Sequence, residues 1–177
     1  NTSGIGAIEH ELQITGSNAQ LGDKILINGT IGDHGMAVLA CREGLELESS
    51  ITTDSEPLNR MVKELVEQLG GHLHTLRDPT RGGVATTLKE IALQSQVEIT
   101  LQETALPIDS AVEGACAILG LDPLFVANEG KLLAFITAEA APLALKIMQR
   151  HDYGKQAAII GEVTAVADGK VRLQTAI

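Results

Sequence analysis

Apolar side chains set the first divisions of the chain. Across residues 58–69, Met61, Val62, Leu65, Val66 and Leu69 recur every three or four positions, the spacing that lines one face of a helix. Asp54 or Ser55 is placed to cap that helix, Pro57 suits its first turn, and Gly70-Gly71 ends it. Val97, Ile99 and Leu101 alternate with polar residues, as a half-buried strand requires. "KLLAFITA" (131–138) is apolar on both faces and predicts a central strand. "GDKILINGTIG" (22–32) predicts a strand between glycine signals, and "DHGMAVLACREG" a helix from an Asp33 cap to a Gly44 stop. "HLHTL" (72–76) is a short strand that puts His72 and His74 on one face. The helix after it opens within "RDPTRGGVATTLKEIA" (77–92) and runs to about Gln94, with Asp78 or Thr80 able to cap it. A helix over 110–119 stops at Gly120, and "APLALKIMQRH" is a helix with Pro142 near its start. "AAIIGEVTAV" and "KVRLQTA" predict a hairpin closed at Asp168-Gly169.

Helices and strands alternate, yet the pattern closes on a hairpin. That favours an α+β layered sandwich with a mixed or antiparallel sheet over a doubly wound parallel sheet. No linker or internal repeat divides the chain, so residues 1–177 read as one domain.

With 177 residues, 44% hydrophobic and 20% charged, the chain has globular composition and can bury a sizeable core. Its aromatics are Phe125, Phe135 and Tyr153, so that core is built from Leu, Ile, Val and Ala. A net charge of −10 opposes binding to nucleic acid or an anionic membrane through a general field, leaving room only for a local anion pocket. Cys41 and Cys116 sit in apolar helical patterns without paired spacing and read as buried reduced thiols. No run approaches the roughly 18 apolar residues of a membrane span, and no signal region opens the chain, so the expectation is a soluble cytoplasmic protein. Asn1 at the start and a strand pattern running up to Ile177 read as a piece of a longer protein.

The residues of 77–83 exceed what a helix cap needs. Two glycines at a helix start let backbone N–H groups approach an anion, and the helix dipole points at the same place. Arg77 and Arg81 add guanidinium forks suited to phosphate oxygens. Asp78 could hold an arginine, cap the helix or face a metal–phosphate complex, and Thr80 could cap or donate to phosphate. On residues alone, a phosphate-binding turn and an over-decorated cap with solvated arginines stand level. Asn128, Glu129 and Gly130, in "LGLDPLFVANEGK" (119–131), follow an apolar run and precede the central strand. There a carboxylate can act as acid, base or magnesium contact; taken alone, a polar turn in water is the plainer reading. His34, between glycines in a helix's first turn, would be held neutral by the dipole and could contact a ligand, or simply lie on the surface. His72 and His74 lack a third ligand at zinc spacing. Walker, GxGxxG and nucleophile-elbow patterns are absent.

Together, "GTIGDHGMAVLACREGL", "RDPTRGGVATTLKEIA" and "ILGLDPLFVANEGK" resemble the HypE family of hydrogenase maturation carbamoyl dehydratases, within the aminoimidazole ribonucleotide synthetase (AIRS) superfamily. Pro79 and Arg81 favour that branch, since the purine-synthesis relatives carry a more glycine-rich turn. The resemblance covers only the family's second domain. It implies a three-layer α/β/α sandwich like the PurM C-terminal domain, partly ferredoxin-like. It also implies a first domain and a C-terminal cysteine tail absent from this chain, a full-length homodimer, and ATP with Mg2+ bound between the domains. The implied reaction converts a C-terminal cysteine S-carboxamide to a thiocyanate that supplies the cyanide ligands of nickel–iron hydrogenase. A HypF-type carbamoyltransferase and a HypC–HypD-type scaffold complex are the implied partners. Carried onto this sequence, Arg77, Asp78, Thr80, Arg81, Gly82, Gly83 and Asn128 would face phosphate, with His34 a weaker candidate, and Glu129 would give acid–base help. The piece alone is expected to lack dehydratase activity. The alternatives are a non-catalytic docking module of the maturation complex, or another ATP-dependent synthetase of the superfamily.

Overall fold

A computed structural model describes residues 5–43 and 51–176. The strands are β1 (Lys24–Ile27), β2 (Leu73–Arg77), β3 (Val97–Gln102), β4 (Leu133–Ile136), β5 (Ala158–Val166) and β6 (Val171–Gln174). The helices are α1 (Asp33–Glu43), α2 (Asn59–Leu69), α3 (Gly83–Ser95), α4 (Ser110–Leu119) and α5 (Ala141–Arg150). The strands form one sheet in the order β2-β4-β1-β5-β3-β6, antiparallel throughout except for the parallel pair β3–β6. The expected mixed α+β sandwich is the fold found.

Period-two alternation distributes the core over two faces. Ile25, Ile27, Leu133 and Phe135 pack against Val84, Leu88 and Ile91 of α3. Leu26, Ala134 and Ile136 point the other way, onto Met61 and Leu65 of α2 and Ala144, Ile147 and Met148 of α5. A smaller cluster of Met36, Val112, Ala115 and Cys116 joins α1 to α4. Each fully buried aliphatic side chain contributes about 1.5–3 kcal/mol relative to exposure. Among the described residues no helix is long and apolar enough to cross a membrane.

Several local expectations are corrected. β5 and β6 form no hairpin, because β3 lies between them, with Ile99 opposite Val163 on one side and Val171 on the other. The Asp168-Gly169 turn exists but is captured by its surroundings: Lys89 Nζ donates to Gly169 O at 2.6 Å, and Ile99 N donates to Lys170 O at 2.8 Å. A turn signal is local, whereas β3 offers hydrogen bonds along both edges and three apolar residues to bury. The helix α2 starts at Asn59 with no side-chain cap, so Asp54 and Ser55 are not its caps. Gly82 precedes α3, again without a side-chain cap, so neither Asp78 nor Thr80 serves there. His72 lies in a short 3-10 turn before β2, away from the strand that holds His74. Gly44, the expected stop of α1, lies outside the described residues.

The antiparallel pairing gathers the candidate residues. The ends of β1 and β2 and the starts of β4 and β5 lie at one edge of the sheet, so the loops 28–36, 77–83, 126–131 and 154–157 converge there.

Candidate functional site

The turn from β2 to α3 lines an open hollow of about 320 Å³ with Arg77, Asp78, Thr80, Arg81, Thr87 and Glu90. Arg77 is half-exposed; its Nη2 lies 3.1 Å from Glu90 Oε2 and its Nε 3.9 Å from Asp78. The Thr80 hydroxyl donates to Asp78 Oδ2. Arg81 is exposed and has no ion pair among the described residues. One guanidinium is therefore held in place while the other is unoccupied.

The two glycines of this turn have a packing cause. Gly82 and Gly83 have φ of +74° and +65°, the left-handed region that favours glycine. A Cβ on Gly83 would stand 2.4 Å from Leu124 O and 2.6 Å from Val126 O. The start of α3 thus lies directly against the backbone of 124–126, which draws the "ANEGK" loop alongside the arginine turn.

Asn128 completes that join. Its side chain is buried; Oδ1 accepts from Gly32 N at 2.8 Å, while Nδ2 donates to Pro79 O at 3.0 Å and Val126 O at 3.1 Å. One amide therefore ties the start of α1, the arginine turn and its own loop, with both donors occupied. Glu129 follows it into solvent, and its carboxylate has no hydrogen bond or ion pair among the described residues. His34, in the first turn of α1, has Nδ1 2.8 Å from Thr53 Oγ1. Arg81, Glu129 and His34 are thus carried on loops that one amide and one glycine contact lock together.

Sequence reading missed a second group at the same edge. A polar cavity of about 680 Å³ is lined on its inner wall by Asn28, Thr30, Asp54 and Lys131, and nearer its mouth by Arg60 and Arg150. Asn28 is buried, accepting from Leu132 N at 2.8 Å and donating to Gly130 O at 3.1 Å and Tyr153 O at 3.2 Å. The Lys131 ammonium is buried against the Asp54 carboxylate. Asp33 Oδ2 is buried without a hydrogen-bond partner. Burial pushes the Asp33 carboxyl above its usual range and the nearby Asp54 charge adds to this, while a hydrogen bond with Thr30 and the Lys131 charge pull the other way. Asp54 and Asp33 both sit where a helix cap is expected, so the cap pattern masked their burial; no spacing in the sequence links either to Lys131.

Residues 20–174 match the model of a family described as AIR synthase related protein, C-terminal domain. The chain belongs to that family. It is 46% identical over 168 residues to the carbamoyl dehydratase HypE of Bradyrhizobium diazoefficiens, covering 95% of this chain and 48% of that protein. The crystal structure of hydrogenase maturation protein HypE in complex with ATP superposes with a TM-score of 0.88 at 45% identity, over 92% of this chain and 50% of that one. A HypE–HypF complex superposes equally, with a TM-score of 0.88 at 45% identity, over 92% of this chain and 52% of that one. The chain spans about half the length of the curated relatives it matches.

Other candidate groups of this family domain lie elsewhere. His74 is buried with Nδ1 2.9 Å from both oxygens of Asp23, at the opposite end of β2 from Arg77. His72 reaches Thr137 Oγ1 at 3.1 Å and Glu139 Oε1 at 3.2 Å. Cys116 is buried as expected, and burial raises its thiol pKa; Cys41 is exposed on α1, against expectation. The short apolar pattern around Cys41 does not say which face of α1 meets α4.

Proposed function

We propose that this chain is the second domain of an ATP-dependent carbamoyl dehydratase of the HypE type. In this reading it forms one wall of a cleft whose other wall belongs to a domain outside this chain. The carrying observation is the joined group at the sheet edge: Arg81 unpaired beside an anchored Arg77, with Glu129 presented from the adjoining loop. The ATP complex of a HypE structure similar to this chain supports ATP as the nucleotide. The HypE–HypF complex supports a HypF-type carbamoyltransferase as partner. Mg2+ with the ATP, a HypC–HypD-type scaffold and a full-length homodimer complete the proposal.

The chemistry asked of the site is conversion of an S-carboxamide to a thiocyanate. Phosphorylation of the carbamoyl oxygen turns a poor leaving group into a good one. O-phosphorylation releases ADP and one of the two N–H protons, leaving a C=N bond; departure of the phosphate with the second N–H proton then leaves the nitrile. Arg77, Arg81 and the start of α3 suit charge developing on phosphate oxygens. Glu129 is placed to take a proton. Asp78 and Thr80 act on this wall as a bonded pair, and Gly82 and Gly83 let the turn close. Asn128 acts through the loops it ties together, and His34 stands at the cleft margin.

Arg81→Ala in the full-length protein tests this reading. ATP turnover is expected to fall by about a hundredfold with partner binding unchanged. Unchanged turnover with weakened partner binding would instead make this domain a docking module.

A further inference from the structure

Glu129 has no side-chain partner to fix it, so its position depends on the backbone on either side. Asn128 holds one side. On the other, Gly130 has φ +64°, and residues 54–56 cross directly over it: a Cβ there would stand 2.1 Å from Asp54 O and 2.6 Å from Glu56 N. This crossing segment is tied at two further points. The Lys131 side chain, 6% exposed, meets the Asp54 carboxylate, 14% exposed, and Thr53 Oγ1 meets His34 Nδ1 at 2.8 Å. Residues 53–56 therefore form a strap across the Glu129 turn, anchored beside it through Lys131 and at the start of α1 through His34. Asn28 holds the turn from below through Gly130 O and Leu132 N.

We propose that Lys131 and Asp54 are positioning residues, a buried ion pair that clamps the 53–56 strap over Gly130 and so sets where Glu129 and His34 stand in the cleft. The role rests on the reading of the Glu129 loop as a cleft wall. Burying two charges is costly unless each meets the other, so removing either leaves a buried charge without its direct partner, which the strap relieves by lifting. A lifted strap frees Gly130 and lets the Glu129 backbone move. Misplacement by about 1 Å is enough to cost a hundredfold in rate.

The test uses the full-length protein with Asp54→Asn, Lys131→Met, the double variant, and Glu129→Gln as reference. Each single variant is expected to lower kcat about a hundredfold while leaving KM for ATP within about threefold. The double variant is expected to be no worse than the worse single, because both act through one contact. Amides 129–132 are expected to exchange with solvent at least tenfold faster in Asp54→Asn. Unchanged kcat in Asp54→Asn, losses that multiply in the double variant, or unchanged exchange at 129–132 would each overturn the strap. Should Lys131→Met fail to fold, the near-isosteric Asp54→Asn carries the test on kcat and exchange. If Glu129→Gln keeps full turnover, the functional reading of the loop fails, and exchange alone judges the strap.

Discussion

Asp33 enters the first turn of α1 with one carboxylate oxygen buried and unpartnered. Its pKa is raised, chiefly by burial, so the folded state disfavours the ionised form more than the unfolded chain does. Below the unfolded carboxyl value, about 3.9, both states hold the proton and nothing is lost. As pH rises through the raised folded value the cost appears, and above it the cost is complete. Asp33→Asn should therefore stabilise the protein at neutral pH, with the gain fading toward pH 3. Thermal unfolding of both proteins across that range measures it; a difference that does not vary with pH would assign the effect to something other than ionisation. Such a group is invisible in sequence because "GDHG" describes a cap equally well whether its carboxylate meets water or Asp54.

Elements were legible where their signal was periodic. The α2, β3, β4 and α4 segments appear where the apolar pattern places them, within a residue or two at their ends. Signals that rest on a few residues gave way to packing. The hairpin lost to β3 insertion, the expected Asp54 cap of α2 is taken up by Lys131, and α3 opens at Gly82 without a side-chain cap. Gly83 has its own cause in the arginine turn: the backbone of 124–126 occupies the space of a side chain there. Gly83→Ala is expected to cost about 3 kcal/mol, from left-handed strain plus the clash, and to separate the 77–83 turn from the 124–131 loop. Denaturant unfolding checks the size. A loss below about 1 kcal/mol would mean that the 124–126 loop yields easily and does not register α3.

At the scale of the molecule, one sheet edge collects loops from four strands, and the guanidinium of Arg81 faces outward from it. As the proposed cleft wall, this surface would offer a nucleotide contacts on one side only. Titration of ATP into this chain by calorimetry should show weak or no binding, and markedly tighter binding when the remaining half of a full-length relative is present. Micromolar affinity in the 177-residue chain alone would place the site within this domain.

The sequence by itself determined the class of fold and most of its elements, and it singled out the stretches 77–83 and 128–130 as candidates for chemistry. Helical and strand periodicity is a property of neighbouring residues, and so is a glycine–arginine turn at a helix start. Only the tertiary structure decided that β3 parts β5 from β6, that Asn128 is a three-way tie, and that Asp54 is the counter-charge of Lys131. Those facts join residues tens of positions apart. They follow from satisfying buried polar groups and charges, a condition on the assembled molecule that no local pattern encodes.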